Sequence, residues 1–222
     1  VRVFFHILRH LMIKAIILNL TGVLCDPTPF IWKSREAIFR THGIKLAEKE
    51  IQEMLGKSLK EQLKIINKKH NTKIKYEIFS KETAIIAKEL ITGNLKATEG
   101  AKKLINQLKN KSIKIAIASQ NIKNNINFYL KEIKIKPSEF DTITTVEELT
   151  KFKPNPQIFE LTCKKLKVKP KECISIDDSI DGLKIAKKMG MKTIGFASNF
   201  QKKKELEKVA DNVIDSLDKI TL

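Results

Sequence analysis

Cysteine, arginine and aromatic residues are all scarce in this chain of 222 residues, and no run of apolar residues is long. Three cysteines, Cys25, Cys163 and Cys173, are odd in number and lack metal-type spacing. That argues against a disulfide framework, leaves core packing as the plain reading of all three, and points to a reducing, cytoplasmic setting. A membrane span needs about 20 consecutive apolar residues, and only the opening segment VRVFFHILRHL approaches that character. It is too short, is broken by Arg2 and Arg9, and has no small-residue cleavage site, so residues 1–11 read as an extension ahead of Met12, with no membrane role. Acidic residues are also few: 43 Lys and Arg against 25 Asp and Glu give a formal charge of +18. Such a balance attracts phosphate backbones. Yet only four of the basic residues are arginine (Arg2, Arg9, Arg35, Arg40), the lysines are spread along the chain, and aromatics make up 6%. Nucleic-acid readers stack bases on aromatic or guanidinium planes, so the charge reads mainly as a compositional habit, and a basic binding module for nucleic acid or an acidic protein stays as one alternative.

What is present is a soluble globular pattern with enough length to bury a substantial core. Ala15 to Asn19 is an apolar run closed by one amide, which suits a strand buried on both faces. Pro27-Thr-Pro29 reads as a linker. Three helical patterns follow, Trp32–His42, Glu48–Asn67 and Lys75–Ile91, with no strand between them. From Gly100 helices alternate with strands. Helices are expected at Ala101–Asn110, Ile122–Lys131, Pro156–Leu166, Gly182–Met189 and Gln201–Lys208, and strands at Ile113–Ala118, Thr142–Thr145, Cys173–Ile176, Lys192–Phe196 and Asn212–Ile214. That alternation predicts an α/β fold with a doubly wound parallel sheet. The core is residues 12–27 with 93–222, and residues 28–92 are an inserted helical cap.

In open parallel sheets, ligands bind beyond the carboxyl ends of the strands, so the polar residues there are the candidates. Four strand ends carry them: Asn19 and Thr21 before Gly22; Ser119 with Gln120 and Asn121; Lys153 in a loop stiffened by Pro154 and Pro156; and the pair Asp177 and Asp178 before Ser179. Taken singly each has an ordinary explanation, since a Ser after a strand is commonly a helix N-cap and a loop lysine is commonly solvated. The acidic pair is more telling, because neighbouring carboxylates repel unless a cation or basic group lies between them. A hydroxyl, a lysine and an acidic pair at one sheet edge suit a phosphate with Mg²⁺, which takes one or two carboxylates plus phosphate oxygens and water.

These pieces, in this order, resemble the haloacid dehalogenase (HAD) superfamily, in particular the helical-cap branch that includes phosphoglycolate phosphatases and β-phosphoglucomutase. The resemblance covers nearly the whole chain from Met12. It rests on IILNLTGVLCD, the cap segment Gly56-Lys57-Ser58, KIAIAS ending at Ser119, KPNPQIF from Lys153 and IDDSIDGLKIAKKMGM from Ile176. The last two are similar to the family patterns KPxPxIF and EDSxxGxxAAxxAGM. The resemblance implies that Ser119 and Lys153 hold phosphate, that Asp178, with Asp177 beside it, binds Mg²⁺, and that Gly56, Lys57 and Ser58 belong to a cap loop closing over a small phosphorylated metabolite. A helix-connecting turn with Ser58 as N-cap is the plain alternative for that loop.

The first motif departs from the family's DxDGV. Asn19 stands where the family has its nucleophilic Asp, Thr21 where it has the acid/base Asp, and Pro27 replaces a family Ser. An amide is neutral and a poor nucleophile, and it withdraws a charge from the metal site. Loss of the nucleophile in another hydrolase lowers kcat by on the order of 10⁶, about 8 kcal/mol of barrier. P-type ATPases, similar in this motif, carry Thr at the second position and still transfer phosphoryl groups, so the decisive change is Asn19. The expectation is a HAD-like protein of phosphatase or phosphomutase ancestry with little or no phosphatase activity, a weakened or absent Mg²⁺ site and a retained phosphate pocket. The enzymatic alternative is an active Mg²⁺-dependent phosphohydrolase using water activated by Asp177 or Asp178.

Overall fold

The computed structural model describes residues 13–54, 57–197 and 203–220. The segment before the first strand, residues 1–11, and Gly56 lie outside the described residues.

Strand β1 (Ala15–Leu18) is completely buried, as four consecutive apolar residues require when both faces of a sheet are covered. It is followed by helices α1 (Thr28–Thr41), α2 (Glu48–Met54), α3 (Leu59–Lys69) and α4 (Tyr76–Ile91). The alternating part then runs α5 (Ala101–Asn110), β2 (Lys114–Ala118), α6 (Lys123–Glu132), β3 (Thr142–Thr144), α7 (Gln157–Leu166), β4 (Cys173–Asp177), α8 (Ile180–Lys188), β5 (Lys192–Phe196), α9 (Lys203–Glu207) and β6 (Asn212–Ile214). The six strands form one parallel sheet in the order β3-β2-β1-β4-β5-β6, the doubly wound architecture expected from the alternation.

That order sets the position of the site. The chain lays strands to one side of β1 through β2 and β3, then crosses to the other side with β4. The boundary between β1 and β4 is therefore where the winding reverses, and the crevice beyond the carboxyl ends at such a boundary is open to a ligand. Register brings Leu18 level with Ile117 of β2 and Ile176 of β4, so the residues that follow each strand emerge side by side. On one face of the sheet Ala15, Ile17, Ala116 and Ala118 pack with Ile158, Phe159, Cys163 and Leu166 of α7, the alternation imposed by the two-residue period of a strand. All three cysteines are free and buried, Cys163 and Cys173 within this core.

The chain divides into two compact units. One comprises the described residues up to Asp26 and those from Leu95 onward; the other is Pro27–Asn94. The helical unit has its own core, in which Phe39 of α1 and Phe79 of α4 stack with ring centroids 4.8 Å apart, surrounded by Ile38, Met54, Leu63 and Ile66.

Two expectations are corrected. The Pro27-Thr-Pro29 stretch is no linker: Pro27 caps α1 and Thr28 and Pro29 form its first turn, where a missing N–H is harmless. The single pattern Glu48–Asn67 is two helices, because Ser58 starts a new one. The Ser58 hydroxyl accepts from the Glu61 N–H at 3.3 Å, and the Glu61 carboxylate accepts from the Ser58 N–H at 2.9 Å. This reciprocal capping satisfies two donors that a continuing helix would have bonded internally. The two patterns look continuous because apolar spacing alone does not register a cap.

Two substitutions test this account in urea unfolding. Leu18→Ala, emptying a fully buried position, should cost roughly 2–5 kcal/mol, and Ser58→Ala should cost about 1 kcal/mol through loss of the cap.

Candidate functional site

The site is built from the carboxyl ends of β1 and β4. The main-chain N–H of Asn19 still donates to Ile176 of β4 at 2.9 Å, so the sheet continues one residue past β1. The chain then turns sharply: the N–H groups of Leu24 and Cys25 return to the Leu20 carbonyl, and Gly22 donates to the Cys25 carbonyl at 2.8 Å. Gly22 takes φ +85°, open to glycine at little cost, and a Cβ there would fall 2.1 Å from Oδ2 of Asp178. The turn is thus folded directly onto the acidic pair, and Thr98 secures it further by donating to the Leu24 carbonyl.

Asn19 uses its whole side-chain amide. Nδ2 donates to Oδ1 of Asp178 at 2.9 Å and to the Thr21 carbonyl at 3.0 Å, while Oδ1 accepts from the Leu20 N–H at 2.9 Å. The orientation follows from these partners, since the flipped amide would set oxygen against two oxygens and NH₂ against an N–H. Asp178 is partly buried. Its carboxyl is pushed up to about 6, by burial first and by the charge of Asp177 second, against the hydrogen bond from Asn19 and the nearby Lys153 ammonium.

Asp177 is held quite differently. Its Oδ2 accepts from Lys153 Nζ at 2.7 Å, and its Oδ1 accepts from the Ser179 N–H at 2.9 Å and the Ser179 hydroxyl at 2.8 Å. The carboxylate is 2% exposed and the lysine side chain 9%, so this is a buried ion pair whose remaining lone pairs are satisfied. Ser179 also caps α8 by accepting from the Gly182 N–H, and the helix starts at Ile180, two residues before Gly182. Gly182 matters sterically, because a Cβ there would lie 2.0 Å from Asp177 Oδ2 and 2.7 Å from Lys153 Nζ.

Asn19 with Asp178, and Asp177 with Lys153, therefore form two adjoining pairs, coupled through the charges of Asp177 and Lys153 acting on Asp178, with Thr21 joined to the first through its carbonyl. Ser119 follows β2 on the other side of β1. It is buried, and its hydroxyl accepts from the N–H of Asn121 at 3.3 Å and from the Asn121 side chain at 3.1 Å. Gln120 is exposed at the same tip. Lys57 and Ser58 belong to the helical unit, where the Lys57 carbonyl accepts from the Gln62 side chain and Ser58 caps α3. The sequence shows Ser179 after the acidic pair but not its hold on Asp177 or the close Gly182 contact, although a serine directly after an acidic pair is a visible N-cap signal.

The family model for haloacid dehalogenase-like hydrolases matches residues 16–196, a span that includes every member of this cluster. The chain belongs to that family. It is 25% identical over 181 residues to the phosphorylated carbohydrates phosphatase of Thermotoga maritima, covering 82% of this chain and 83% of that protein. Among solved structures, β-phosphoglucomutase from Clostridium difficile superposes with TM-score 0.73 at 28% identity, covering 95% of this chain and 94% of that one. An aspartate-to-asparagine mutant of CbbY from Rhodobacter sphaeroides, in complex with xylulose-(1,5)bisphosphate, shares the fold with TM-score 0.75 at 22% identity, covering 93% and 96%.

The donor set of this HAD chain can be compared with the needs of Mg²⁺, which takes six oxygens at about 2.0–2.1 Å. The gap between Asp178 Oδ1 and the Thr21 carbonyl is filled by the hydrogens of the Asn19 amide, and Asp177 is engaged by Lys153 and Ser179. That leaves Asp178 as the one carboxylate of the pair turned toward the gap. As arranged, these residues do not fit a divalent cation.

Two measurements probe the cluster. Asp178 holds its proton more tightly folded than unfolded, so its contribution to stability is complete below about pH 3.8 and is lost as pH rises through about 6. The stability of the wild type relative to Asp178→Asn should accordingly fall by on the order of 2 kcal/mol between pH 4 and pH 7, followed by urea unfolding. Gly182→Ala should displace the Lys153–Asp177 pair and destabilise the fold by about 2 kcal/mol or more, more than alanine introduced at an exposed helical position.

Proposed function

We propose that this HAD-family chain binds a small phosphorylated metabolite at the carboxyl edge of its sheet and does not hydrolyse it. One observation carries the reading: the residue at the end of β1, where the family resemblance puts the attacking carboxylate, is an amide whose nitrogen and oxygen are committed to three hydrogen bonds. A neutral amide in that state offers no lone pair of useful nucleophilicity to phosphorus. Thr21 adds to this, since a threonine hydroxyl does not exchange protons near neutral pH as a carboxyl does.

Retention of binding rests on the other strand ends. Lys153 brings a fixed ammonium with donors beyond the one given to Asp177, and Ser119 brings a buried hydroxyl next to β1. Both suit phosphate oxygens. The ester class is taken from the relatives: one is named for phosphorylated carbohydrates, and a mutant of the same fold with one aspartate replaced by asparagine was solved with a sugar bisphosphate.

A second reading, an active phosphohydrolase, is favoured by the relatives named as phosphatases. It requires water activated by Asp177 or Asp178 in place of a covalent step. Asp177 is a poor base for that purpose, since all its contacts are taken by Lys153 and Ser179.

The test is phosphate release from p-nitrophenyl phosphate and from sugar phosphates in the presence of Mg²⁺. The wild type should show none above the protein-free background, and Asn19→Asp combined with Thr21→Asp should raise release by several orders of magnitude. Wild-type release that disappears in Lys153→Ala would overturn the reading in favour of the second.

A further inference from the structure

We infer that the side-chain amide of Asn19 takes the place of a divalent cation between β1 and β4, so that the strand-end site is assembled and occupied without metal. The inference deepens the proposed function and rests on it for the nature of the ligand.

Asp178 Oδ1 and the Thr21 carbonyl both point at Asn19 Nδ2, at 2.9 and 3.0 Å. Two oxygens aimed at one point need positive charge there, from an ion or from N–H groups. The amide supplies two hydrogens with the required geometry, and its own oxygen faces away to the Leu20 N–H. Replacing that NH₂ by O⁻ in the same rotamer would put three oxygens in mutual contact, a cluster stable only with a cation in its midst. Asparagine at residue 19 thus takes away one of the two negative charges that would face a cation there and puts N–H groups in its place, whereas aspartate would require the cation.

The surroundings hold this arrangement. Asp178 Oδ2 lies against the Cα of Gly22, where a Cβ would be 2.1 Å away, so the carboxylate is pinned in its present direction. The neighbouring charge of Asp177 is already answered by Lys153 and by two donors from Ser179. No net negative charge is left to recruit a doubly charged ion beyond the single carboxyl of Asp178.

The experiment compares wild type with Asn19→Asp by Mn²⁺ titration followed by electron paramagnetic resonance, and by thermal unfolding in EDTA and in millimolar Mg²⁺. The wild type should bind Mn²⁺ weakly and melt at the same temperature in both buffers. Asn19→Asp should bind Mn²⁺ at least about tenfold more tightly, melt several degrees below the wild type in EDTA, and recover with Mg²⁺. Equal Mn²⁺ affinity in the two proteins would overturn the inference, as would an Asn19→Asp protein indifferent to Mg²⁺. Should that variant fail to fold, inorganic phosphate titrated into wild type by calorimetry supplies the second test. Equal affinity in EDTA and in Mg²⁺ is expected, and a gain of tenfold or more with Mg²⁺ would overturn the inference. Absence of phosphate binding in both buffers would instead overturn the proposed function, while Mn²⁺ titrated into wild type and into Asp178→Asn decides the role of the amide: equal weak binding is expected, and a wild-type affinity that is lost in Asp178→Asn would overturn the inference.

Discussion

Asn19 joins the end of β1 to the end of β4 through a 2.9 Å hydrogen bond to Asp178, across the line where the sheet reverses its winding. Parallel strands leave their last carbonyl and amide groups facing a crevice at that line, and whatever lies there must satisfy them. In this chain a neutral amide does so. It bridges Asp178, the Thr21 carbonyl and the Leu20 N–H at once, and the turn through Gly22 closes over the same carboxylate. The chemistry available to the site follows from that choice of group.

A second electrostatic unit stands beside the first. Lys153 and Asp177 form a buried pair, and burying two charges costs several kcal/mol per ion unless geometry and further hydrogen bonds compensate. Here Ser179 supplies the compensation twice and, with the same hydroxyl, caps α8. Gly182 leaves room for it. The loop carrying Lys153, the end of β4 and the first turn of α8 therefore act as one body. The positive group is delivered to the sheet edge by an ion pair that is structural in its own right.

The two carboxylates differ in consequence although they are adjacent in the chain. Asp177 is embedded among donors, whereas Asp178 meets an amide and the edge of a glycine turn, and burial together with the charge of Asp177 lifts its carboxyl to about 6. Asp177 is the last residue of β4 and Asp178 the first beyond it, so the two side chains meet different surroundings, the start of α8 for one and the Gly22 turn for the other.

Much of this was legible in residues. The uninterrupted apolar strand, the alternation of helices and strands after Gly100 and the order of polar strand ends follow from local periodicity and turn chemistry, which are properties of short segments. The family likeness, carried by the runs from Lys153 and from Ile176, and its breach at Asn19 and Thr21 are also matters of residue identity. Less was visible at helix boundaries: the break before Ser58 and the start of α8 just after Ser179 turn on capping that hydrophobic spacing does not record, and Pro29 sits in the first turn of α1, where its missing N–H is harmless. Strand order, the pairing of Lys153 with Asp177 and the direction of the Asn19 amide were decided by tertiary structure alone. Each sets against one another groups distant in the chain, 159 residues apart for Asn19 and Asp178, and an amide commits its nitrogen or its oxygen only when the partners on every side are in place.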